Sequence, residues 1–288
     1  MLIPDWETDC VAVVRPRAEW QYGRGVDALY AKFIAAIEAH DAVQVIDDPG
    51  LDIWIRDFAP FQTDGGRWVA GIYQPSYLEE LQSARITAAF ACHCMFDRFP
   101  VRLDGGAFVH NGRGIGIVTK KLYHTNRERS CEQLIRLLKK HLELDHLVVI
   151  PSVPGDRTGH VDGIARWADE ETLLVGREEY ESVIPALRAG LPHGTEIVPF
   201  PQVICDEVIN GLPCAHGIYV NFLLTRNAVY LPVFGLPEDW EAIATAERIF
   251  AGKPVVPINA YAVAVHGGAL NCISWNFTSG LTASASGA

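Results

Sequence analysis

A chain of 288 residues, 49% of them hydrophobic, is long enough to bury a large core, as one big domain or two small ones. Its formal charge of −11, with Lys and Arg nowhere gathered into a stripe, argues against nucleic-acid and anionic-membrane partners and leaves room for a cationic one. The apolar runs stop well short of the roughly 20 residues that a bilayer span needs, and "MLIPDWETDC" lacks the basic-then-apolar order of a secretion signal, so neither export nor anchoring is expected.

In chain order, the hydrophobic period alternates short strands with single helices. The strand "CVAVVRP" leads to the helix "GVDALYAKFIAAIEAH" and the strand "VQVID"; "WVAGIY" leads to "SYLEELQSARITAAF" and "FPVRL". Then come "GIGIVTK", "SCEQLIRLLKKHLEL" and "HLVVIPS", followed by "GIARW", "TLLVG", "EYESVIPALRAG" and "TEIVPF". The last set is "YVNFLLT", "AVYLPVF", "PEDWEAIATAERIFAG", "KPVVPIN" and "LNCISWNF". Every helix except the last carries apolar residues three and four apart, the mark of a surface helix with one buried stripe. The end "TSGLTASASGA", residues 278–288, is small and polar and reads as a mobile tail behind a catalytic domain spanning 1–277.

The order of elements repeats. From Asp57, Asp104, His160 and Asn221 the chain runs strand, turn, strand, helix, strand, with the turns "TDGGR", "GRG", "ADEE" and "TRNA". A fifth copy starts near Cys272, and its remaining pieces lie at the other end of the chain. Five units of roughly 50 to 60 residues suit a closed ring whose first and last units share strands, as in propeller-like assemblies. Closure would gather at the axis the polar residues that open each unit: Asp57, Asp104, His160 with Asp162, Asn221 and Cys272. Turn preference alone accounts for Asn221 and Asp104; it accounts for neither a cysteine nor a histidine. In "GDRTGHVDGIARW" His160 and Asp162 are two apart, so a strand there puts both on one face.

A thiol is a useful nucleophile only as thiolate, which a neighbouring imidazolium stabilises, so Cys272 is the nucleophile candidate and His160 its acid/base partner. Asp104 or another carboxylate would orient the imidazole. Asp57 and Asp162, if ionised beside a thiolate, raise its pKa unless the substrate brings positive charge. A planar guanidinium does so and matches carboxylates with forked N–H donors. Gly105, Gly106, Gly267 and Gly268 read either as close backbone approach to a ligand or as tight turns. Trp54 either walls the substrate's alkyl chain or packs its strand, and Arg56 is expected to pair with a core carboxylate.

Of seven scattered cysteines none forms a C-x-x-C or a paired framework, which points to a reducing cytoplasm. Cys10, Cys131 and Cys205 read as small core residues. Adjacent Cys92, His93 and Cys94 in "ACHCMF" do not all face one ion. Cys214, beside His216 in "GLPCAHG", is the one rival nucleophile, and it lacks the acidic pair.

"LDIWIRDFAP", "LDGGAF", "TGHVDG" and "HGGALNCISWNF" resemble the successive signatures of the bacterial agmatine deiminase and peptidylarginine deiminase family, with "DWETDCVAVVRPRAEW" similar to its amino-terminal strand. The likeness spans residues 4 to 277 and implies a five-bladed αβ-propeller of ββαβ repeats. It implies that Cys272 attacks the guanidinium carbon, that His160 protonates departing ammonia and then activates water, and that Asp57 and Asp162 grip the guanidinium nitrogens. Trp54, Asn221, Gly267 and Gly268 are expected around the substrate. Asp104 stands where relatives carry Glu hydrogen-bonded to the histidine, one methylene shorter.

The expected reaction is hydrolysis of the C–N bond of a linear amidine through a covalent thiouronium, with no metal or organic cofactor needed. Agmatine leads the substrates, ahead of arginine and peptidyl arginine. The relatives are longer and carry a Trp- and Asn-rich segment where this chain reads "RWVAGIYQPSYLEELQ", which leaves reading of the substrate's far end open. Amidino transfer to an amine, a catalytically silent binding propeller and a cysteine-dependent amidase are the alternatives. A homo-oligomer is compatible with this reading, and no oligomeric state is legible.

Overall fold

Strands buried on both faces have no reason to alternate, and that is why "CVAVV", "IGIVT" and "VYLPV" read as unbroken apolar runs. In a computed structural model, which describes residues 1–17, 22, 24–205, 207–209 and 212–279, each is the middle strand of a three-stranded sheet. There are five such sheets among the described residues. In every one the first strand pairs antiparallel with the middle strand, and the third pairs parallel after a helical crossover.

Phe61–Gln62, Trp68–Ile72 and Asp97–Arg102 make one sheet, with helix Glu80–Phe90 as the crossover. Phe108–His110, Ile115–Thr119 and His146–Ile150 make the next, with helix Cys131–His141. Ala165–Trp167, Thr172–Gly176 and Glu196–Phe200 follow around helix Tyr180–Gly190, then Leu223–Leu224, Val229–Val233 and Val255–Asn259 around helix Asp239–Ile249. The fifth sheet joins the two ends of the chain: Trp275–Phe277 pairs antiparallel with Cys10–Val14, with Ala12 opposite Trp275, and Cys10–Val14 pairs parallel with Ala42–Ile46 across helix Arg24–Glu38. The ring expected from the repeats therefore closes as read.

The helices cover the sheets with one stripe each. Val26, Leu29, Tyr30, Phe33 and Ile37 are buried along the first. Ser130 opens helix Cys131–His141 with a capping box to Gln133, and Leu134 and Leu138 seat it. The last helix has its stripe too, made of Ala242, Thr245 and Ala246 and so invisible to a search for large apolar residues, while Trp240 points outward. Helix Glu80–Phe90 starts four residues later than its pattern suggests, because Pro75 to Leu78 form a turn. Thr278 and Ser279 are hydrogen-bonded to Gln62 and Asp9; residues 280–288 lie outside the described residues. Among the described residues no helix is long and apolar enough to cross a membrane.

One expectation is corrected. His160, Asp162 and Cys272 are not on strands: Asp162 and Cys272 sit on turns just before their sheets' first strands, and His160 lies in the irregular segment leading into the turn of Asp162. The amides of Ile164 and Ala165 both donate to Val161 O, and a chain so coiled cannot be extended. Asp57 lies in the short helix Ile55–Phe58, Asp104 caps the 3-10 turn Gly105–Ala107, and Asn221 and Cys272 occupy similar turns. The polar opening of each unit is thus a coil of backbone rather than a strand end, as the turn preference of Asp and Asn favours.

Candidate active site

These five turns bond to one another in cyclic order. Val161 N–H and Asp162 N–H donate to Gly106 O at 2.9 and 3.2 Å, Asn221 Nδ2 donates to Asp162 O at 3.2 Å, Asn271 N–H to Asn221 O at 3.2 Å, and Arg56 N–H to Cys272 O at 3.2 Å. At the remaining junction the backbones touch: a Cβ on Gly105 would stand 1.9 Å from Arg56 O, and one on Gly106 would stand 2.7 Å from His160 Nδ1 and 3.0 Å from Asp57 Oδ1. Gly105 and Gly106 are therefore glycine because of close approach.

Inside this ring the side chains meet. Cys272 Sγ donates to Asn221 Oδ1 at 3.4 Å and to Asp162 Oδ2 at 3.7 Å, and the Asp162 oxygen also accepts from Asn271 Nδ2 at 2.6 Å. His160 Nε2 is 3.4 Å from Asp104 Oδ2 and its Nδ1 is 3.7 Å from Asp57 Oδ1. Tyr77 OH donates to Asp57 Oδ2 at 3.4 Å. Asp57 Oδ1 is buried with no hydrogen-bond partner, a costly state for a carboxylate unless a ligand supplies one.

Electrostatics follow from burying three carboxylates around one imidazole. Burial pushes the Asp57 carboxyl up to about 7, with His160 opposing and Asp104 and Asp162 adding to the rise. Burial alone would lower His160, but Asp57, Asp104 and Asp162 outweigh it and hold the imidazolium up to about 10. Burial first, then Asp162 and Asp57, push the Cys272 thiol well above its ordinary value. Among the described residues Arg56 makes no direct ion pair with a carboxylate: its Nε donates to Asn271 O and its Nη2 to Asn276 Oδ1, with Asp5 beyond the amide. Burial lowers its pKa, and Asp5, Asp162 and Cys272 act against that.

Trp54 ends the loop before helix Ile55–Phe58; its ring lies so close to Gly268 that a Cβ there would stand 2.4 Å from Cζ3 and 3.0 Å from Cys272 Cβ. Its Nε1 donates to Tyr22 OH, which donates to Asp52. Gly267 takes φ +96°, the left-handed region open to glycine. Trp54 and Gly268 thus lie together beside Cys272.

The profile of the Porphyromonas-type peptidyl-arginine deiminase family matches residues 24–277, nearly the whole ring. The chain belongs to this family. An agmatine deiminase of Ectopseudomonas mendocina is 24% identical over 282 residues, covering 81% of this chain and 76% of the relative. The solved agmatine deiminase of Enterococcus faecalis superposes with a TM-score of 0.80 at 19% identity, covering 96% of this chain and 94% of that one. That of C. jejuni does so with 0.77 at 18%, covering 96% and 95%. The five-bladed αβ-propeller is the fold they share with this family member.

The structure groups Cys272 with Asp162 and Asn221, groups His160 with Asp57 and Asp104, and puts Trp54 and Gly268 beside Cys272. It adds two that sequence reasoning missed: Asn271, adjacent to Cys272 and bonded to Asp162, and Tyr77, which the turn after Pro75 tips toward Asp57. Asn271 was signalled only by its place beside the nucleophile candidate. The rival thiol, Cys214, is raised to about 11, by burial first and by Cys205 and Glu207 next, with no imidazolium among the causes.

Proposed function

We propose that this protein is a cysteine-dependent guanidine deiminase, a hydrolase of linear amidines that converts agmatine or a similar guanidine to a ureido product and ammonia. The observation that carries the reading is the buried Asp57 Oδ1, which faces the imidazole at 3.7 Å but makes no hydrogen bond, in a site where Asp57, Asp104 and Asp162 surround one imidazole and one thiol. A forked cation suits that oxygen, and Asp57 and Asp162 are the pair to grip it.

The thiol and the imidazole are bonded to different partners, Asp162 and Asn221 on one side and Asp104 and Asp57 on the other, which suits a substrate entering between them. A bound guanidinium offsets the carboxylates and lowers the thiol's pKa, so the thiolate forms when substrate is present. Sγ adds to the guanidinium carbon, forming the C–S bond and a tetrahedral adduct. His160, held protonated, gives its proton to one amino group; the C–N bond breaks and ammonia leaves a cationic thiouronium. The neutral imidazole then takes a proton from water, which attacks the same carbon; the C–S bond breaks to return the thiolate, and the hydroxyl proton passes to solvent, where ammonia takes it up, as the neutral ureido product leaves. Asp104 keeps the imidazole charged and oriented.

Several relatives carry the name agmatine deiminase, and this supports agmatine as substrate. The charge of −11 and the Asp52 carboxylate joined to Trp54 through Tyr22 favour a tail ending in ammonium over one ending in carboxylate. Free thiols at all seven cysteines suit the cytoplasm. The whole ring, from the first strand to Phe277, acts as one catalytic domain in this reading.

The test is mass spectrometry of protein quenched with a panel of guanidines, with ammonia measured alongside. A thiouronium adduct on Cys272 with ureido product supports the proposal, and Cys272→Ser should show neither. Ligand binding without adduct or ammonia means a silent binding propeller; a new guanidino compound in place of ammonia means amidino transfer.

A further inference from the structure

Cys214 has a setting of its own. Val208–Ile209 and Leu212–Pro213 pair antiparallel, with Val208 opposite Pro213, and past that pair the amide of Cys214 donates to Glu207 O at 2.9 Å. The hairpin therefore lays its two flanks together, and one ligand atom each from Cys205, Glu207 and Cys214 falls within 4.8 Å of the others. A second feature is independent of that spacing. The backbone N–H of His216 donates to Cys214 Sγ at 3.4 Å, and Gly217, at φ +91°, lets the chain turn immediately after it. That amide partly offsets the burial and the neighbouring Cys205 and Glu207 that raise this thiol, so it favours the thiolate that a metal takes.

We propose that Cys205, Glu207 and Cys214 form a binding site for a soft divalent cation, Zn²⁺ first. Two thiolates and one carboxylate suit zinc, whereas magnesium and calcium take oxygen ligands throughout. Binding displaces the two thiol protons to solvent, and three protein donors leave a fourth tetrahedral position to water or an exogenous ligand. Glu207 is exposed and Cys205 half-buried, so an ion reaches the site directly. Cys92, His93 and Cys94 make no comparable group: His93 Nε2 turns instead to Asp48, at 2.8 Å.

The ion takes no part in guanidinium chemistry; it clamps the segment that leads to the site. From Cys214 the chain runs through Ala215, whose amide donates to Ala264 O in the helix preceding Gly267, and on to Asn221, which accepts from the Cys272 thiol. Tying the hairpin flanks together holds both of these supports.

The experiment uses full-length protein carrying Cys272→Ser, so that the active-site thiol contributes nothing, stripped by chelator, kept reduced and titrated with Co²⁺. Tetrahedral cobalt thiolate is expected to produce a sulfur-to-metal charge-transfer band that saturates at a single equivalent and is bleached by Zn²⁺. Adding Cys205→Ser with Cys214→Ser should abolish it. Since losing even an outer-shell partner of a metal weakens binding about tenfold or more, Glu207→Gln should weaken cobalt at least that much. No band in the reduced protein, or a band that survives the paired serines, overturns the site. If the paired variant does not fold, the exposed Glu207→Gln decides: undiminished cobalt affinity there overturns the proposal.

Discussion

Asn271 Nδ2 and Cys272 Sγ converge on one atom, Asp162 Oδ2, at 2.6 and 3.7 Å. The amide fixes the carboxylate that the thiol faces, so a guanidinium arriving between them meets an acid already aimed. A hydrogen bond to a charged group contributes about 1.5–3 kcal/mol, and Asn271→Ala should therefore raise KM for the guanidine by roughly 10- to 150-fold. Because Asn271 has no place in the proton transfers, kcat should fall much less. Steady-state kinetics checks the split, and an unchanged KM would show that Asp162 needs no such support. Asn271→Asp, which sets a second anion against Asp162, should be the worse variant.

The pH dependence follows from two groups pushed in the same direction for different reasons. Asp57 must be ionised to grip a cation and titrates at about 7, so kcat/KM should rise as pH climbs through that value. His160 must be protonated to release ammonia and titrates at about 10, so the rate should fall as pH passes it. The raised Cys272 thiol must also ionise, so the rise continues above 7 until the imidazolium is lost, and the bell peaks on the alkaline side of neutral. Binding of the guanidinium favours the ionised Asp57, so complex formation near pH 7 should release protons, which calorimetry in buffers of differing ionisation enthalpy detects. A rate that is flat from pH 6 to 8 removes Asp57 from cation binding.

Asp104 can be examined through the same bell. Its carboxylate raises His160 and, as a like charge, also raises Asp57. Asp104→Asn should therefore move both limbs to lower pH, the alkaline one by about one to three units, the usual effect of a close opposite charge. Asp104→Glu restores the missing methylene: a cavity of about 30 Å³ lined by Leu103, Asp104, Thr119 and Lys121 has room for it, and the present 3.4 Å contact can shorten. The Glu variant should keep the alkaline limb and turn over no more slowly than the parent. An alkaline limb in Asp104→Asn that matches the parent's would mean that this carboxylate does not act on the imidazole.

The ring and its contents were legible because they depend on repetition. Five strand sets with their crossover helices need only periodicity, and the pairing of Ala12 with Trp275 needs only that the broken unit be completed. The local shape of the site was not legible. An H-x-D spacing reads as a strand face, yet the bonds from Ile164 and Ala165 to Val161 coil it, and both side chains still point inward because the neighbouring turn of Gly106 holds the coil. Asn271 and Tyr77 escaped notice because their partners belong to turns of other sheets, and no period along one segment reports those. Cys205 read as a core residue for the same reason: the hairpin that brings it to Cys214 is a tertiary event.

Gly105 and Gly106 are neighbours with opposite expected failures. A methyl on Gly105 meets Arg56 O at 1.9 Å, backbone against backbone, and only separation of two sheets relieves it. Gly105→Ala should lose about 3 kcal/mol or more of stability, as severe overpacking does. A methyl on Gly106 meets side-chain atoms instead, His160 Nδ1 at 2.7 Å and Asp57 Oδ1 at 3.0 Å, and these can rotate away. The fold then survives while imidazole and carboxylate leave their places; displacement of that order costs about 100-fold in rate. Melting curves and ammonia release measured on both variants separate the cases: Gly106→Ala should melt near the parent and turn over poorly, and a Gly106→Ala protein of parental activity would mean that His160 and Asp57 need not stand where the ring holds them.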